Sequence, residues 1–159
     1  MRIRIKELLL LLVLVIPLVS VLLKAQDYAI EEMSDEETVA FRPFSISTVF
    51  PFNGGLRIFL NTSNPDAIAG LLDSGSLQAQ LSDHESETET LVPFSFGKAV
   101  WCSDASAPIY IAYRDPLPSC DDNPPARIEY FFDVAAVLGP GRDLAIGQDP
   151  DFLWLIEER

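Results

Sequence analysis

The segment RIEYFFDVAAVL (127–138) constrains the fold of this chain more than any other stretch. Ile128, Tyr130, Phe132, Val134, Ala136 and Leu138 share one parity, while Arg127, Glu129 and Asp133 share the other. Successive side chains of a strand leave opposite faces, so a period of two predicts a half-buried β-strand. An apolar strand face has to be buried, and shorter versions of the pattern recur from Val39 onward.

In FSISTVF, Phe44, Ile46, Thr48 and Phe50 share a face, while Val39 and Phe41 before them have the opposite phase. A bulge or kink around Arg42 and Pro43 reconciles the two halves and marks an edge strand. PFNGG (51–55) supplies a hairpin turn through Asn53 and Gly54, and Leu56, Ile58 and Leu60 line the return strand. NPDAIAGLLDSG (64–75) predicts a short helix: Asn64 caps, Pro65 takes the first position, and Gly75 ends it. Strands follow at 76–82, in LVPFSFGKAVWC, and at 108–114. The tail FLWLI (152–156) reads as a strand or a helix, and a closing strand is favoured because the apolar faces need a partner.

About seven short strands punctuated by turn residues predict a mainly β fold, an antiparallel β-sandwich of immunoglobulin-like kind with one short helix. The alternative is an α+β arrangement with one antiparallel sheet. Trp101 stands beside a cysteine, but the cysteine spacing is much shorter than in immunoglobulin domains.

Ahead of this region, residues 8–23 (LLLLLVLVIPLVSVLL) carry no charge, and Arg2, Arg4 and Lys6 precede them. A basic flank before an apolar run is the pattern of a membrane anchor or an export signal. The expected organisation is a cytoplasmic basic segment (1–7), a transmembrane anchor or signal segment (8–25), an acidic stalk (26–38) and an extracytoplasmic β-rich domain (39–159). Cleavage near Ala25, with Leu23 at the −3 position, is the alternative and gives a secreted domain. Ser34 and Glu37 in the stalk fit a capping box.

Charge divides at the same boundary. Of 24 acidic residues only Glu7 precedes Lys24, and of 11 basic residues seven follow it, so the exported part carries 7 − 23 = −16. Such a domain repels nucleic acid, and an electrostatic partner would be cationic. Cys102 and Cys120 are the two cysteines, and in an oxidising compartment an even pair predicts a disulfide.

Candidate chemistry is sparse. LSDHESETET (81–90) holds the single histidine, His84, among Asp83, Glu85, Glu87 and Glu89. Four like charges on one strand face would repel, so a solvated loop is expected, with a contact patch for a cationic partner as the functional alternative. One histidine and no glycine turn make a poor metal site. Asp121, Asp122 and Asn123 before two prolines read as a turn rather than a calcium loop. Neither a cofactor nor a metal is expected. Aromatics remain: Tyr110 and Phe131 both fall on outward parities, and together they would anchor a protein contact.

The expected function is therefore a membrane-anchored binding domain recognising a protein or envelope component. Two alternatives stand beside it: an envelope hydrolase using paired carboxylates, and a structural subunit of a membrane complex.

Overall fold

The structure, a computed structural model, describes residues 28–33, 42–121, 123–148 and 152–159. The described residues form β1 (Tyr28–Glu32), β2 (Ser45–Phe52), β3 (Gly55–Asn61), α1 (Pro65–Asp73), β4 (Leu77–Asp83) and β5 (Thr88–Leu91). β6 (Phe94–Trp101), β7 (Ile109–Ala112), β8 (Arg127–Val134), β9 (Arg142–Gln148) and β10 (Phe152–Glu158) follow. They assemble as two five-stranded antiparallel sheets, ordered β1-β10-β9-β4-β5 and β2-β3-β8-β6-β7. The single-sheet α+β alternative does not hold, because the apolar strand faces outnumber what one sheet and a nine-residue helix could cover.

Both sheets feed one hydrophobic cluster. Leu56, Ile58, Phe132 and Val134 enter it from the second sheet, and Leu77, Leu144, Ile146 and Ile156 from the first. At its centre Phe44 stacks on Trp154, ring centroids 4.3 Å apart, and meets the edge of Phe132 at 5.3 Å. α1 closes part of this core with Ile68, which is fully buried. The Asn64 side chain caps its start by accepting from the Ala67 N–H at 3.2 Å. Gly75, at φ +70°, ends it, with Ser76 N–H donating to Leu71 and Gly75 N–H to Leu72, a Schellman closure.

The hairpin at Asn53 and Gly54 forms as expected, both residues having positive φ (47° and 74°), the requirement of a tight type I′ turn. The bulge sits elsewhere than expected. The β2–β3 register shifts between Ile46 and Thr48, so Val49 turns into the core and Phe50 turns out. Parity counted straight through FSISTVF therefore misassigns its second half. β8 ends at Val134 rather than Leu138, because the Ala135 N–H bonds Pro93; Ala136 and Leu138 remain buried beyond the strand.

Three strands have weaker sequence signals. β9 carries only Leu144 and Ile146 inward, and β5 (TETL) is wholly exposed. β1 lies inside the stretch expected to act as a stalk, and it pairs along β10 with Ala29 only 2 % exposed. Few apolar residues suffice there, because a five-residue edge strand covers the core with one face. The tail strand β10 is confirmed, paired on both sides.

No helix among the described residues is long and apolar enough to cross a membrane. The apolar run over 8–23, Ala25, the Ser34 and Glu37 pair, and Val39 and Phe41 lie outside the described residues.

Candidate functional site

Leu56, Ile58 and Leu60 point β3 into the core, so Arg57 and Phe59 emerge on the outer face of the second sheet. The β3–β8 register sets Arg57 opposite Asp133 and Phe59 opposite Phe131. Arg57 Nε and Nη2 each donate to an Asp133 carboxylate oxygen at 2.7 Å, a bidentate pair. Around the guanidinium stand three rings: Phe52 at 3.6 Å, Phe131 at 4.1 Å and Tyr110 at 4.2 Å from its central carbon. Guanidinium groups are weakly hydrated and attracted to ring faces, so this side chain tolerates being only 3 % exposed. Burial alone lowers its pKa, but the hydrogen bonds and charge of Asp133 outweigh that and raise it, which fixes Arg57 as a cation.

The aromatic set continues across the sheet. Phe50 stacks on Phe59 at 5.6 Å, Phe59 meets Phe131 at 5.7 Å, and Phe131 meets Tyr110 edge-to-face at 5.7 Å. Gly97 allows it: a Cβ there would lie 2.4 Å from the Phe131 ring. The two predicted aromatics do come together, but with unequal exposure. Phe131 is 3 % exposed under its neighbours, whereas Tyr110 is 46 % exposed. Beside them lies a depression of about 220 Å³ lined by Ser95, Gly97, Ala112 and the Arg57–Asp133 pair.

Arg57, Phe52 and Phe59 were not picked out from the sequence as site residues. The signal was present in GLRIFLN, since an inward Leu56, Ile58 and Leu60 force an arginine onto the opposite face. What the sequence lacked was the pairing that supplies Asp133.

β7 runs along the edge of this sheet and is firmly held. Lys98 Nζ donates to the Tyr113 and Asp115 carbonyls at 2.8 and 2.7 Å. The Tyr113 hydroxyl donates to Asp66 at 2.6 Å, which pushes its pKa up to about 12. Arg114 pairs with Asp73, and Cys102 and Cys120 stand at disulfide distance, Cα atoms 5.4 Å apart.

The acidic segment folds as a hairpin end on the other sheet. Asp83 closes β4, residues 84–87 turn, and Glu89 lies in β5 opposite Ser82. Glu87 takes a positive φ of 52°, the conformation a glycine would otherwise supply. Asp83 accepts from the Glu85 and Ser86 amides and from Arg142 Nε at 2.9 Å; these bonds, the Ser86 amide first, lower its pKa. His84 Nε2 lies 2.6 Å from Asp143, whose hydrogen bond raises the imidazole pKa. Asp83 is thus engaged within the fold, and Glu85, Glu87 and Glu89 are exposed. The four acids do not form one patch on a single strand face.

A wider groove of about 520 Å³ runs past Ser47, Phe59, Asn61 and Thr62. Within it Thr62 bonds the Pro43 carbonyl, and Glu129 bonds Trp101 and pairs with Arg127. Among the described residues, no three His, Cys, Asp or Glu side chains are grouped as metal ligands. Asp122 and residues 149–151 lie outside the described residues. Comparison with protein-family models, with curated proteins and with solved structures finds no match for this chain.

Proposed function

We propose that this chain is a membrane-tethered, extracytoplasmic binding domain that recognises a protein or envelope component through the β7 side of its second sheet. The basic flank and apolar run over 1–23 support the tether, and the cysteine pair supports an oxidising compartment, periplasmic in a bacterium. The two antiparallel sheets around one core support a sandwich of immunoglobulin-like kind, a scaffold that presents edges and loops to partners.

One observation carries the reading. Tyr110, 46 % exposed, projects from a braced strand over a buried cation–aromatic cluster, and Ile109 beside it, 42 % exposed, faces the other side of the sheet. Amphipathic rings held rigid at a surface lose little entropy on contact, which is why they recur as interface anchors.

A photo-crosslinking residue placed at Tyr110 of the full-length protein in its native cells tests this. A discrete adduct at position 110, absent when the same residue replaces Glu89 on β5, is the expected result. Equal labelling at both positions, or none at either, contradicts it.

A further inference from the structure

The second sheet ends at β7, and the ladder geometry shows which backbone groups face outward. The Tyr113 N–H donates to Phe96 at 3.0 Å, and the register pairs Ile111 with Lys98 and Ile109 with Val100. Bonded and non-bonded residues alternate along an antiparallel edge. Ile109, Ile111 and Tyr113 therefore bond inward to β6, and Tyr110 and Ala112 turn their amides away from it. The Ala112 carbonyl is taken by the Asp115 N–H at 3.1 Å. Among the described residues, no partner is found for the Tyr110 N–H and carbonyl or the Ala112 N–H, which aim past the sheet.

Open edges invite pairing, and folded proteins blunt them with charge, proline or bulges. The other three edges here are blunted. β1 carries Glu31 and Glu32 and lies against β2. β2 has its register shift and Pro51, and β5 has Glu89 at its centre. β7 reads IYIA, with none of these devices.

Resting on the binding reading above, we infer that β7 receives an extended segment of a partner protein by strand addition, and that this segment alternates lysine or arginine with apolar residues. The mode follows from the outward-aimed amides, since main-chain bonds supply affinity and alternate side chains supply specificity. The charge follows from the surroundings. Asp104 precedes β7, Asp115 and Asp121 follow it, and the chain as a whole carries −13. The nearby cations are engaged: Arg57 with Asp133, Arg114 with Asp73, and Lys98 with two carbonyls. A second copy of this chain would bring the same negative charge to the edge, so self-pairing is opposed electrostatically.

The test uses full-length protein and three synthetic peptides: alternating Lys-Ile, alternating Glu-Ile, and a Lys-Ile peptide interrupted by proline. Amide hydrogen exchange and fluorescence anisotropy are read together. The Lys-Ile peptide is expected to bind in a salt-sensitive way and to slow exchange at Tyr110 and Ala112. The other two peptides should bind at least about tenfold more weakly. Ala112→Pro removes one outward donor, a substitution that edge strands tolerate, and should weaken binding about tenfold. Ile109→Lys, at an exposed position, should do likewise by placing a cation on the edge.

Three results overturn the inference: slowed exchange at Glu89 and Leu91 instead, equal binding of the Glu-Ile peptide, or unchanged binding by both variants. If the cellular crosslink at position 110 persists while the Lys-Ile peptide leaves Tyr110 and Ala112 exchange untouched, strand addition fails and the binding reading survives. If both signals are missing, both fail.

Discussion

β5 and β7 are edge strands of equal length, four residues each, at the ends of opposite sheets. Exposure does not mark β7 out, since Leu91 on β5 is more open than Tyr110 on β7. Support and charge do. β5 carries Glu89 and follows a turn held by Asp83, Arg142, His84 and Asp143, so its neighbourhood is made of water-facing ion pairs. β7 is uncharged, backs onto Arg57 and Phe131, and is fixed beyond its end by Lys98, Tyr113 and the cysteine pair. A charged edge deters partners. An uncharged edge on a braced strand presents donors at little ordering cost.

Breaking the brace should have the largest effect. The paired substitution Cys102→Ala with Cys120→Ala opens a loop spanning 18 residues and should cost about 3 kcal/mol in urea unfolding by chain-entropy reasoning. Arg57→Leu removes the cation beneath Tyr110 and leaves Asp133 without its partner. Because the Asp133 side chain keeps 31 % exposure, the loss should be about 2 kcal/mol, below the figure for a fully buried pair. Gly97→Ala forces the Phe131 ring to move and should cost a similar amount, about 1–2 kcal/mol, with a changed near-ultraviolet aromatic signal. An exposed-site substitution on β5, Glu89→Val, should change stability by less than about 0.5 kcal/mol. It should nevertheless increase self-association in sedimentation, because it removes the charge that guards that edge.

The smallest effect concerns His84. Its folded pKa is raised by the Asp143 hydrogen bond, so its stabilising contribution is complete below the unfolded histidine pKa. That contribution is lost as pH rises through the raised folded value. An NMR titration of His84 should give a midpoint above the ordinary histidine value, falling toward it in Asp143→Asn. No change in that variant would show the pair to be inert.

The two edges also differ in how legible they were. Strong alternation in 127–138, after the 53–54 turn and in LVPFSFGKAVWC located β8, β3 and β6 of the second sheet by apolar parity, although β8 ends at Val134. β5 was unreadable because TETL offers no apolar face, and β1 because its few apolar residues sit among acids. The bulge after Ile46 was invisible since a register shift depends on the partner strand, which parity within one segment does not report. Tyr110 and Phe131 emerged from the same parity argument as the core. Arg57 did not, because its role rests on Asp133, 76 residues away in sequence. Long-range pairing carries the information that local spacing lacks.

The openness of the β7 edge is most directly tested by residue-resolved amide exchange of the full-length protein without any partner. Ile109, Ile111 and Tyr113 should be protected by their bonds to β6, while Tyr110 and Ala112 exchange at rates close to those of an unstructured chain. Protection of Tyr110 and Ala112 equal to that of their neighbours would contradict an open edge, and with it the assignment of β7 as the binding strand.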